Sequence, residues 1–241
     1  MRLSILIPVY NERHYLVQVV DKALAQPVPG IKEREIVIVD DGSRDGTTEI
    51  VRELARKYPQ HVFPVFHPEN RGKGAAIKSA VEKMTGDICI IQDADLEYDP
   101  GDYPLVLEPI ISGRADCVLG SRFTGAQSKR VLYFWHYVGN KIGTLLSNMC
   151  TNLNLTDMEA GYKAFRADIL RDIPLRCRGF GFEPEITAKI ASRKCRIYEV
   201  GIAYNGRTYE EGKKITWRDG IKALFVILWF WLVKDSGQKK R

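Results

Sequence analysis

Apolar residues in the first half of the chain come in short unbroken runs, and between the runs they recur every three or four positions. The runs at 3–9, 35–39, 62–66, 87–91 and 115–119 predict buried strands. The spacing of Tyr15, Leu16, Val19, Val20, Ala23 and Leu24 predicts a helix that stops before Pro27 and Gly30. Further helices are expected at 45–58, broken at Pro59, and at 74–84. Strands alternating with helices of this length predict an α/β fold with a mostly parallel central sheet and helices on both faces. The second half is less regular, with helical patterns at 132–153, 183–193 and 217–233 and a late strand at 196–204. No linker, repeat or low-complexity segment divides the chain. It reads as one domain, residues 1–215, whose later part closes over the ligand edge of the sheet, followed by an apolar helix and basic tail at 216–241.

The polar residues that follow the strands carry the chemistry. Gln92-Asp93-Ala94-Asp95-Leu96-Glu97 directly follows the apolar run Ile88-Cys89-Ile90-Ile91. Open α/β sheets bind ligands outside the carboxyl ends of their strands. Asp93 and Asp95 are too close to stand as bare like charges there, and a hard divalent cation with oxygen ligands is the natural partner. Three other strand ends deliver polar residues to the same edge. They are Ile7-Pro8-Val9-Tyr10-Asn11-Glu12, Asp40-Asp41-Gly42-Ser43-Arg44-Asp45-Gly46-Thr47 and Gly120-Ser121-Arg122-Phe123. Any one of them could be turn or cap chemistry, with Asp45 or Thr47 capping the next helix. Four in order point to a site. Gly72-Lys73-Gly74 lacks the full phosphate-loop spacing. It reads as close strand–helix packing with one basic side chain, which leaves Lys73 outside the expected site.

Composition adds direction. The chain has 241 residues, 45% hydrophobic and 27% charged, as in ordinary globular proteins. A formal charge of +6 and a pI near 9.0 suit anionic partners, such as a nucleotide or a phospholipid headgroup. The five cysteines are scattered without paired spacing, which suits a reducing compartment without disulfides or structural zinc. The start of the chain runs straight into a strand pattern, so no cleavable signal peptide is expected.

These stretches together resemble glycosyltransferase family 2 and, within it, the polyprenyl-phosphate glycosyltransferases typified by dolichol-phosphate mannosyltransferase. The resemblance also takes in Asn70-Arg71-Gly72-Lys73-Gly74-Ala75-Ala76 and 157–165. Further along it takes in Gly181-Phe182-Glu183-Pro184-Glu185 and 204–214, so that it spans nearly the whole chain. It implies a GT-A, Rossmann-like fold in which Pro8, Tyr10, Glu12, Val39 and Asp41 cradle the nucleotide. Asp93, Ala94 and Asp95 would hold the diphosphate through a magnesium or manganese ion. Glu97 stands where relatives often carry glutamine, and is a third expected metal ligand. Arg122, Arg207 and Lys213 would hold the donor diphosphate and the lipid phosphate. Asp157 matches the position that acts as base toward hydroxyl acceptors. Here it is expected to position the sugar or a cation such as Lys163. Asp95, Arg122 and Asp157 form the expected catalytic group. Arg130 is the nearest candidate for the family's acceptor-phosphate arginine, and His136 fills the place of its serine.

The resemblance implies an inverting transfer of a hexose from a nucleotide sugar to a polyprenyl phosphate, with mannose the first choice and glucose the second. Two rivals remain open at this point. One is the same fold acting on a polysaccharide, protein or small-molecule hydroxyl, with Asp157 as base. The other is a sugar-nucleotide-binding module without catalysis. The uncharged stretch 223–233 is about half of what a bilayer span needs, and with its tryptophans and flanking lysines it suits an interfacial helix. The alternative is a core or dimer-interface helix. The protein is therefore expected at the cytoplasmic face of a membrane as a peripheral protein. A membrane-protein partner or homo-oligomer is possible, and nucleic acid is not an expected ligand.

Overall fold

Seven strands form one sheet: β1 (Arg2–Val9), β2 (Glu33–Asp40), β3 (Val62–Phe66), β4 (Ile88–Ile91), β5 (Cys117–Ser121), β6 (Lys163–Arg166) and β7 (Ile197–Gly201). The computed structural model describes residues 1–125, 128–131, 133–179, 181–208, 210–211 and 217–233. Strand order is β3-β2-β1-β4-β6-β5-β7. All pairings are parallel except those of β6, which runs antiparallel between β4 and β5. Six strands therefore point their carboxyl ends to one rim. The order of connection reverses between β1 and β4, and that crevice is where sheets of this kind take their ligands.

The helices are α1 (Leu16–Ala25), α2 (Thr47–Lys57), α3 (Lys73–Lys83), α4 (Tyr103–Ile111), α5 (Phe134–Thr151), α6 (Ala167–Arg171), α7 (Phe182–Ser192) and α8 (Trp217–Leu232). Alternation along β1 sends Leu3, Ile5 and Ile7 to one face, where they meet Val19 and Val20 of α1, Val51 of α2 and Val106 of α4. Leu6, with Val37 and Val39 of β2, meets Ile77 of α3, Leu170 of α6 and Ile186 of α7 on the other face. Each such side chain, fully buried, contributes about 1.5–3 kcal/mol. The expected two-sided α/β layering is present.

Three elements lie where no expectation was placed. α4 contains Pro104 and Pro109, residues that ordinarily break a helix pattern, but Pro104 sits in the first turn where no backbone donor is missed. α6 is a single short turn after β6. β6 has a lysine in its buried face, which interrupts the apolar run that would mark a central strand. Being antiparallel, β6 begins at the rim where its neighbours end, with Lys163 opposite Ile91 and Leu119. The residues that precede it, 157–162, therefore reach the ligand edge for the same geometric reason as the residues that follow β1 or β4. The expected boundary at 215/216 falls in 212–216, outside the described residues. The helix beyond it packs against α5 and α7, burying Ala223 and Ile227.

Candidate active site

Six acids of the rim share three cations of the chain, Lys73, Arg207 and Arg122. After β4, Gln92 is fully buried, and its Oε1 accepts from the hydroxyls of Tyr103 (2.8 Å) and Tyr162 (2.6 Å). Its Nε2 donates to the carbonyl of Asp93 at 2.9 Å. The acidic turn thus starts from a side chain held on both sides. Tyr98, stacked on Tyr162, accepts the Gly161 N–H at 2.9 Å and closes the floor. A Cβ at Gly161 would run into Asp93 Oδ2, so this glycine is the space in which that carboxylate lies.

Asp93 Oδ1 is 2.8 Å from Lys73 Nζ, and the same ammonium is 2.9 Å from Glu183 Oε1. Burial would push the Lys73 ammonium down, but Asp93 and Glu183 outweigh it and hold it well above the ordinary lysine range. Lys73 is the first residue of α3, where the helix dipole disfavours a cation, so its placement there depends on these acids. The glycines beside it allow the approach. Gly72 has φ +93°, and a Cβ on Gly72 or Gly74 would strike the backbone carbonyls of Arg178 or Cys177. The expected close packing is real, though it is made against the segment before α7 rather than against a strand, and it brings Lys73 into the site. A lysine at a helix N-terminus between tightly packed glycines was the available signal. Glu183 was missed too, although it lies in a stretch that the family resemblance covers.

Asp95 and Glu97 turn to Arg207. Its Nη1 and Nη2 donate to the two oxygens of Glu12 at 3.2 Å each, and Nη2 also donates to Asp95 Oδ2 at 3.0 Å. Its Nε lies 3.6 Å from Glu97 Oε1, which accepts the Arg207 backbone N–H at 2.9 Å. Tyr204 donates to Glu97 Oε2 at 3.1 Å. Burial, Asp93 and Glu97 together push the Asp95 carboxyl up to about 7, against the pull of Arg207. Tyr204 and Arg207, from the later part of the chain, thus reach the ligand edge.

Arg122 and Asp157 form the third pair. Arg122 Nε and Nη2 donate to the two Asp157 oxygens at 2.7 Å each, and the Arg122 backbone N–H adds a third bond at 3.0 Å. Asp157 is fully buried. The cation beside it is Arg122 and not Lys163, whose ammonium donates to the carbonyls of Met158 and Ala160. The ion-pair partner of Asp157 is thus a different cation from the one expected from the sequence, because Lys163 gives its ammonium to those two carbonyls. The Arg122 guanidinium stands over the ring of Tyr204 at 5.3 Å, so Tyr204 touches both the Arg122 and the Arg207 clusters.

The remaining expected residues are distributed around this centre. Pro8 and Val39 are register partners at the ends of β1 and β2. Tyr10 is exposed, and Ala94 is buried. Asp41 accepts the backbone N–H groups of Arg71 and Gly72 and lies 2.6 Å from His67 Nδ1. It caps the loop that delivers Lys73. Arg130 pairs with Glu211 at 2.7 Å. Lys213 lies outside the described residues.

The hard oxygens of Asp93 and Asp95, two residues apart on one rim, are of the kind that a magnesium or manganese ion takes. No group of three or more His, Cys, Asp or Glu side chains converges as a metal cage among the described residues. Magnesium sites commonly use one or two carboxylates and complete the shell with substrate phosphates and water, so Asp93 and Asp95 fit this pattern. Glu97 shares Arg207 with Asp95 and also takes the hydroxyl of Tyr204.

Residues 4–174 match the family model for Glycosyl transferase family 2. The chain is 31% identical over 225 residues to an undecaprenyl-phosphate mannosyltransferase of Micrococcus luteus, with 88% of this chain and 87% of that protein covered. It is 28% identical over 221 residues to a dolichol-phosphate mannosyltransferase of Pyrococcus furiosus, with 89% of this chain covered; it spans 61% of that relative. Among solved structures, glucosyl-3-phosphoglycerate synthase from Mycobacterium tuberculosis, in complex with Mn2+, UDP and glucosyl-3-phosphoglycerate, superposes with a TM-score of 0.71. The match covers 98% of this chain and 82% of that one at 20% identity, a likeness of fold.

Proposed function

This chain belongs to glycosyl transferase family 2, and from that premise we propose that it moves a hexose, mannose before glucose, from a nucleotide sugar to a polyprenyl phosphate with inversion. The names of the relatives support the donor sugar and the lipid acceptor. The observation that carries the reading is the doubly bonded Arg122–Asp157 pair. A hydroxyl acceptor needs a base to take its proton. Asp157, the acid expected in that role, has both oxygens committed to a guanidinium. A phosphate monoester needs no such base, because its second pKa is about 6 and it is largely ionised near neutral pH.

In this reading the acceptor phosphate oxygen forms a bond to the anomeric carbon from the face opposite the diphosphate, and the bond from that carbon to the diphosphate oxygen breaks. Negative charge grows on the leaving nucleoside diphosphate. Asp93 and Asp95 would hold a magnesium or manganese ion whose positive charge offsets that growth. Arg122 and Arg207, their forks held by Asp157 and by Glu12 and Asp95, add fixed positive charge beside it. Pro8, Tyr10, Glu12, Val39 and Asp41 are assigned to the nucleotide side, and the family resemblance assigns Lys213, outside the described residues, to the phosphates. Alignment and electrostatics carry the acceleration.

The lipid acceptor fits the surface. α5 buries its small residues Gly143, Thr144 and Ser147 and exposes Trp135 (77%), Leu145 and Met149 (73%). Beside it, α8 exposes Phe225, Trp229 and Leu232. No helix is long and apolar enough to cross a membrane among the described residues. Large apolar side chains turned outward on neighbouring helices support docking onto a bilayer surface as a peripheral protein at its cytoplasmic face.

The test is to incubate the protein with labelled GDP-mannose or UDP-glucose, magnesium or manganese, and a short polyprenyl phosphate. Label entering the lipid phase, with inverted anomeric configuration, is the expected result. Label passing only to water-soluble acceptors, or a product of retained configuration, overturns the proposal.

A further inference from the structure

Glu183 is 4% exposed, and only one of its two carboxylate oxygens is used: Oε1 pairs with Lys73, and among the described residues no donor reaches Oε2. A buried charged acceptor left without a donor is costly, and native structures seldom keep one without a use. Neither lysine near it among the described residues supplies the missing donor. Lys73 is spent on Asp93 and on Oε1, and Lys163 is spent on the carbonyls of Met158 and Ala160. A further charge that acts on Glu183 is an acid, Glu159, whose carboxyl is pushed up to about 7 by burial and then by Glu183.

The position of this oxygen identifies what it can meet. Lys73 bridges Glu183 Oε1 to Asp93, so the Glu183 carboxylate lies one ammonium group away from an acid of the proposed diphosphate centre. In a nucleotide sugar the group bonded to the diphosphate at that reach is the hexose, which offers neutral hydroxyl donors. Glu183 is also held in place: it sits in the first turn of α7, where the helix dipole favours an acid, and Lys73 fixes its other oxygen. We propose that Glu183 Oε2 accepts a hydroxyl hydrogen bond from the hexose of the donor, which makes Glu183 a residue that reads the sugar rather than the nucleotide. This rests on the donor class given above. A fixed carboxylate accepting from a hydroxyl makes a charge-assisted bond, stronger than its neutral counterpart and strict in position. An analogue lacking that hydroxyl leaves the oxygen buried and unmet, the arrangement that discriminates best between similar substrates.

The test compares GDP-mannose with GDP, and UDP-glucose with UDP, by titration calorimetry in the presence of Mn2+, for wild type and for Glu183→Gln. Glutamine keeps a carbonyl for Lys73 and places an amide at the second position. The expected result is a loss of about 10- to 100-fold in affinity for the nucleotide sugar, with the bare nucleotide changed less than about twofold. One deoxy-hexose analogue of the donor should lose a similar factor with wild type and lose nothing more with Glu183→Gln. Retained binding of the bare nucleotide by the variant shows that fold and diphosphate centre are intact. Equal loss for sugar nucleotide and nucleotide, or no loss for either, overturns the role of Glu183 and leaves the donor reading standing. Wild-type protein that binds neither GDP-mannose nor UDP-glucose overturns both.

Discussion

At the scale of single residues, the rim sets six acids, Asp93, Glu183, Glu12, Asp95, Glu97 and Asp157, against the three cations Lys73, Arg207 and Arg122, and the cost of breaking each pair follows from its burial. Arg122 and Asp157 illustrate this. Asp157 is fully buried and accepts two bonds from the guanidinium and one from the Arg122 backbone. In Asp157→Asn the buried guanidinium loses its counter-charge and meets an amide that competes as a donor. Removal of one partner of a buried pair typically costs about 3–5 kcal/mol. Urea denaturation of Asp157→Asn should show a loss of that order, alongside reduced turnover. A variant of unchanged stability whose turnover alone falls would instead mark Asp157 as a base and favour a hydroxyl acceptor. Lys73 and Glu183 follow the same logic on the other side of the acidic turn, where one ammonium serves two carboxylates.

At the scale of elements, α5 and α8 depart from the usual rule that a surface helix turns its large apolar side chains inward. α5 must bury a narrow face, because Thr144 accepts the Met158 N–H and Asn148 bonds both the N–H and the carbonyl of Leu155. Small and polar residues therefore occupy the inner side, and the large apolar ones are left outside. α8 lies against it, burying Ala223 and Ile227 and leaving Phe225 and Trp229 outside as well. Sedimentation with anionic vesicles measures the consequence. Wild type should pellet with the vesicles, and a Trp135→Ser, Trp229→Ser double variant should lose about tenfold or more in partitioning, given the size of two buried tryptophan side chains. Equal partitioning of both proteins would remove the lipid surface from the account. The 223–233 stretch was expected to meet lipid or protein from its composition, whereas the outward face of α5 was not anticipated. Its apolar residues alternate with small and polar ones in a way that reads as an ordinary amphipathic helix until the neighbours are known.

At the scale of the whole molecule, the two ends of the sheet do different work. The carboxyl rim gathers charge for chemistry, and the opposite end holds the fold together through Glu35. This acid is buried near the start of β2 and accepts from Ser4 Oγ (2.6 Å), the Thr85 N–H (2.5 Å), Thr85 Oγ1 (2.8 Å) and Arg2 Nη2 (2.9 Å), tying β1, β2 and the turn before β4. Burial pushes the Glu35 carboxyl up, but the bonds from Ser4 and Thr85 and the charge of Arg2 outweigh it and hold it below the ordinary value of 4.5. Its folded pKa is thus lower than its unfolded one. The stability it contributes is complete above the unfolded value and is lost as pH falls through the folded one. Thermal melts from pH 7 down to pH 3 should show an acid-side fall in melting temperature that is shallower in Glu35→Gln, which starts lower at neutral pH. Parallel acid-side falls in the two proteins would mean that other carboxylates govern acid unfolding.

The sequence by itself determined the layered α/β architecture and the four acidic or basic strand ends. Both depend on local properties: the period of apolar residues selects strand or helix, and a strand's carboxyl end is known once its direction is. Strand ends also placed Asp93, Asp95 and Arg122 on one edge, whereas Asp157 and Arg207 were expected in the site only from the family resemblance. Only the tertiary structure decided which charge meets which. Arg207 lies 112 positions from Asp95 and 195 from Glu12, and no pattern in the chain encodes that meeting. The antiparallel insertion of β6, which carries 157–162 to the rim, and the arrival of Lys73 between Asp93 and Glu183 were decided in the same way. Coulombic partners and hydrogen bonds at 3 Å depend on the packing of whole elements against each other, a long-range outcome that residue spacing does not contain.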